Sequence, residues 1–161
     1  MKLFTLCLVS LLFAAQAATA DRTVLVWETG TDLENSYDVV YKALEDNKYF
    51  VVFEPNIQKN LSRFAERWGD KYNRNGLEGI RAMVFCNGWY ANAVSNADPD
   101  MLALCPLHIT LVQKSGVTRI LFSRPTVIAA DSKALAVAKE IEEDVSKALD
   151  EAVAALKKPE P

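Results

Sequence analysis

The 161-residue sequence is poor in the groups that mark most enzyme classes. It has six glycines, none in a G-x-G-x-x-G array, so no phosphate-cradling loop is present. It has one histidine, His108, and no G-x-S-x-G segment or Asp motif to pair with it. A hydrolytic triad therefore has no sequence support. C-x-x-C and C-x-x-C-H are both missing, which removes the paired-thiol zinc motif and c-type haem attachment. Positive charge is not in excess: 18 Lys and Arg face 21 Asp and Glu, for a net charge of −3. That balance argues against a generic binder of nucleic acid or anionic membranes. Repeats and a second domain are also missing. The 21 acids single out no catalytic pair, so the reading leans away from an enzyme.

One apolar run is present, and it stands at the start. Met1-Lys2 is positive, and Leu3 to Ala15 is apolar but short for a membrane span. Ala18-Thr19-Ala20 has the A-x-A form of a leader cleavage site. Residues 1–20 are thus expected to be a signal peptide, cut after Ala20, with the protein periplasmic or secreted. The remainder has 17 Lys and Arg against 21 acids. Half the chain is hydrophobic, which excludes a disordered chain and suits one domain over 21–157. Residues 158–161 read as a disordered tail. After cleavage no membrane segment is expected.

Val24 to Trp27 are β-formers and predict a first strand. Thr31 and Glu34 fit a capping box for a helix carrying Leu33, Tyr37, Val40, Tyr41 and Leu44. Phe50 to Phe53 is a short strand. Ile57, Leu61, Phe64, Ala65 and Trp68 form a helical stripe, with Lys59, Arg63, Arg67 and Lys71 opposite it. Ile80 to Cys86 is a third strand, with Arg81, Met83 and Phe85 on one face. A long excursion follows, in which Asp98-Pro99 starts a short helix. Leu107–Gln113 and Val117–Ser123 form a hairpin around Lys114-Ser115-Gly116. Asp131-Ser132 caps a long last helix. Its small-residue seam runs through Ala134, Ala138, Ile141, Val145, Ala148, Ala152 and Ala155. Packing on the sheet is the leading use of that seam, and a homodimer contact is the alternative. The fold expected is α+β: an antiparallel sheet with helices on one face and a helical insert.

Three residues carry candidate chemistry: Cys86, Cys105 and His108. An even cysteine count in an oxidising compartment favours a disulfide. Antiparallel strands would put Cys86 and Cys105 at one end of the sheet. The alternatives are a thiol-redox or soft-metal site for copper or zinc, with His108 as a further ligand, or two unlinked buried thiols. Asn87, Trp89 and Tyr90 follow the third strand and are the candidate ligand-pocket residues. No partner is named by the sequence.

A family resemblance adds to this reading. The segments Ala82-Met83-Val84-Phe85-Cys86-Asn87, Leu104-Cys105-Pro106-Leu107-His108-Ile109-Thr110-Leu111-Val112, Gly116-Val117-Thr118 and Ser123-Arg124-Pro125 resemble the domain of unknown function 302 family. The resemblance spans about Val24 to Ile128. It implies a TATA-box-binding-protein-like strand–helix–four strands–helix order, and no activity. Cys86 replaces that family's usual Gly, Gly88 its Pro, and Cys105 the Leu of its Leu-Pro. The two cysteine positions converge in the fold so implied, which favours a pair acting together, a disulfide ahead of a metal site.

Overall fold

Residues 22–157 are described by the structure, a computed structural model. The expected signal peptide and tail lie outside the described residues.

Five strands form one open antiparallel sheet: β1 (Val24–Thr29), β2 (Phe50–Phe53), β3 (Gly79–Cys86), β4 (Leu107–Lys114) and β5 (Val117–Ser123). Their spatial order is β1-β5-β4-β3-β2. The β4–β5 hairpin turns on Ser115 and Gly116, both at positive φ (52° and 75°). Two such residues match the right-handed twist of the strands they join. The long helices are α1 (Leu33–Asp46) and α6 (Leu135–Leu156). Between them lie α2 (Ile57–Ser62), α3 (Ala65–Trp68), α4 (Gly88–Ala97) and α5 (Pro125–Ile128).

Period-two alternation sends Met83, Phe85, Leu107, Ile109, Leu111, Ile120 and Phe122 into the core. Tyr37, Val40 and Leu44 of α1 and Ile141, Val145 and Leu149 of α6 meet them there. Each such side chain contributes roughly 1.5–3 kcal/mol of apolar burial. Ala134, Ala138, Ile141, Val145, Ala148 and Ala152 are buried within the domain, so this part of the seam is a packing surface; Ala155 is exposed.

Several local expectations are corrected. Asp32, not Thr31, caps α1: its carboxylate accepts Asn35 N at 3.0 Å and Asn35 Nδ2 at 2.6 Å. The Thr31 hydroxyl is instead held 2.8 Å from that of Ser36. The expected insert helix is broken into α2, α3 and a 3₁₀ turn at Gly69–Lys71. The excursion holds two helical pieces, α4 and a 3₁₀ run at Pro99–Leu104 capped by Asp98. The final helix begins at Leu135, after the separate short helix α5.

Candidate functional site

The chain leaves the sheet at Cys86 and returns at Leu107, which pairs with Phe85. Asn87 opens the departure by capping α4, accepting from Trp89 N at 3.0 Å and Tyr90 N at 3.3 Å. The 3₁₀ run then carries the chain back to Cys105, whose peptide bond to Pro106 is cis. This route brings the two thiols together. Cys86 lies near enough to Cys105 to act on its thiol, and both are half-buried. Both are free thiols, so the expected disulfide takes the form of a contact without a bond. Burial pushes the Cys105 thiol up from its ordinary pKa, and the neighbouring Cys86 pushes it further.

His108 stands opposite Val84, two positions along β3 from Cys86, and is exposed. It lines a small cleft of about 120 Å³ with Pro106 and Leu104. Among the described residues no three His, Cys, Asp or Glu side chains group closely enough to hold a metal ion. The copper or zinc set of Cys86, Cys105 and His108 is therefore not assembled.

Asn87, Trp89 and Tyr90 are engaged in different ways. Asn87 is spent on the cap. The Tyr90 ring stacks on Tyr49 at 6.2 Å, and its hydroxyl donates to Asp144 Oδ2 at 2.6 Å, tying α4 to α6. Burial, then the Asp144 carboxylate, push Tyr90 up to about 12. Trp89 is 73% exposed.

A second constellation escaped the sequence reading. Arg81 lies on the Met83 and Phe85 side of β3, where a charge needs partners. Its guanidinium sits 3.5 Å above the centre of the Tyr37 ring. It pairs with Glu34 and lies 4.0 Å from Glu54. Tyr37 donates to Glu54 at 2.7 Å, and burial, then that carboxylate, raise its pKa. Beside this cluster lies a cleft of about 530 Å³, walled in part by Arg81, Lys59, Gln113, Asp32, Glu34 and Glu78. Gly79 admits α1 here, since a Cβ would collide with the Leu33 side chain. The only sequence sign was one arginine on the apolar face of a strand.

With this geometry in view, comparisons place the chain among known proteins. The model of the Domain of unknown function DUF302 matches residues 25–152. The crystal structure of the uncharacterized conserved protein DUF302 from Bacillus stearothermophilus is similar in fold, with a TM-score of 0.68 at 18% identity. The match covers 81% of this chain and 98% of that one. No curated protein matches.

Proposed function

Since the chain belongs to the DUF302 family, whose description assigns no reaction, we propose a function from its own side chains: an exported, non-enzymatic binding or accessory domain in which Cys86 and Cys105 close into a structural disulfide. The observation that carries this reading is that the fold brings the two thiols together at one end of the sheet, where Cys86 acts on the Cys105 thiol. Closure releases two protons and passes two electrons to an oxidant of the disulfide class. The bridge spans a loop of about 20 residues and contributes on the order of 3 kcal/mol in the chain-entropy account.

In the thiol-redox alternative Cys105 would be the buried partner and not the attacking thiol. Exchange catalysts use a depressed pKa to keep a thiolate at neutral pH, and burial here acts in the opposite direction. A copper or zinc role asks for a third ligand beside the two sulfurs. The binding half of the reading rests on the cleft beside Arg81, whose mixture of cations, carboxylates and amides suits a small polar solute.

Thiol counting tests the proposal. After oxidation the mature protein should show no titratable thiol in denaturant and a mass lower by two hydrogens. Its unfolding midpoint should exceed that of the reduced form, and Cys86→Ser should abolish the difference. Two thiols still titrating after oxidation would sink the idea.

A further inference from the structure

Between β2 and β3 the chain runs out through α2 and α3 as an arm, and from Ile57 to Gly76 no residue is fully buried. This arm carries Lys59, Arg63, Arg67, Lys71 and Arg74 against only Glu66 and Asp70. All five cationic residues are exposed, and among the described residues none of them enters an ion pair. The rest of residues 21–161 holds 12 Lys and Arg against 19 acids, so the arm is a positive projection on a negative body. The whole-chain balance conceals this separation.

The arm also exposes aromatic surface. Phe64 is 42% and Trp68 39% exposed, and their rings stack on each other at 5.0 Å and 19°. Four of the cations recur every fourth residue through the same segment. Tryptophan and phenylalanine beside lysine and arginine are the side chains that settle into the headgroup layer of a bilayer.

We propose that this arm docks on an anionic phospholipid surface, with Phe64 and Trp68 entering the headgroup layer and Arg63, Arg67, Lys71 and Arg74 facing lipid phosphates, while Lys59 stays at the Arg81 cleft. The charge separation orients the molecule, because the acidic body is repelled by the surface that attracts the arm. A bilayer fits better than a folded partner, since two short broken helices offer a patch of charge and rings rather than a deep groove.

The test is cosedimentation of the mature protein with vesicles of equal parts phosphatidylglycerol and phosphatidylcholine, against vesicles of phosphatidylcholine alone. Binding is expected only to the anionic vesicles and should fall as salt rises. The double variant Arg63→Glu, Arg67→Glu should weaken it by about tenfold or more, given the affinity each basic residue contributes near such a surface. Trp68→Ala should weaken binding while leaving its salt dependence. Trp89→Ala, outside the arm, should leave it unchanged, and circular dichroism should show all variants folded. A wild type that ignores anionic vesicles overturns the proposal, as does undiminished binding by the charge-reversed variant. Preference for polyglutamate or duplex DNA over vesicles would also overturn it, in favour of an acidic macromolecule.

Discussion

Single residues on the covered side of this sheet show how polar groups are kept there. Arg81 survives among apolar neighbours because a ring, two carboxylates and a tyrosine hydroxyl surround it. Tyr90 is held by a stacked ring and a carboxylate, and its chemistry makes a pH prediction. Its folded pKa is pushed up to about 12, above the ordinary tyrosine value of 10.0. A raised pKa means that the folded state holds the phenol proton more tightly than the unfolded chain does. The stability from this group is therefore fully present below about pH 10 and is lost as pH rises through about 12. Tyr90→Phe should flatten the alkaline limb of the stability curve over that window and leave its slope near neutral pH unchanged. Denaturant unfolding at stepped pH measures this. Parallel curves for wild type and variant would show that Asp144 does not hold the phenol as described.

At the scale of elements, β2 stands at the sheet edge with Phe50, Val52 and Phe53 exposed. Such an edge invites pairing with another strand. Two features blunt it: the register shifts between Val51 and Phe53, and the Glu45 carboxylate of α1 accepts the Val51 N–H at 2.8 Å. Glu45→Ala should cost about 1 kcal/mol for the lost hydrogen bond and raise the concentration-dependent mass seen by light scattering. An unchanged mass would mean that the register shift alone protects the edge. The strands themselves were legible in the sequence, because alternation in β3, β4 and β5 is strict and Ser115-Gly116 marks their hairpin. The helix α4 was not. Asn87-Gly88 reads as a turn, whereas here the Asn87 side chain satisfies the first N–H groups of a helix. The start of α6 was also missed, because Pro125 opens a separate short helix before it.

Across the whole molecule, legibility follows chain separation. The approach of Cys86 to Cys105 could be read because one excursion leaves and rejoins neighbouring strands. The Arg81 cluster could not, because Glu34, Tyr37 and Glu54 reach it from elements up to 47 residues away. A sum of charge over the chain likewise cannot show that residues 57–76 are positive and the remainder negative. The arm's relation to the fold yields the last prediction. Asn56 bridges to Arg81, and Pro55 O accepts Ala82 N at 3.0 Å, so β2 and β3 already face each other before the arm departs. The arm is thus a long insertion in a hairpin that a short turn should close. Replacing residues 59–76 with an Asn-Gly turn removes the partial burial of Leu61, Ala65, Tyr72 and Asn73 and the hydrogen bonds of the last two to Gln58 and Leu77. Shortening the loop returns about 1–2 kcal/mol of closure entropy, which offsets that loss. The shortened protein should keep its far-ultraviolet strand signal and an unfolding midpoint within a few degrees of the parent, while losing affinity for phosphatidylglycerol vesicles. A chain that fails to fold would show the arm to be part of the domain's structural support. A chain that folds and still binds the vesicles would move the membrane contact to another surface.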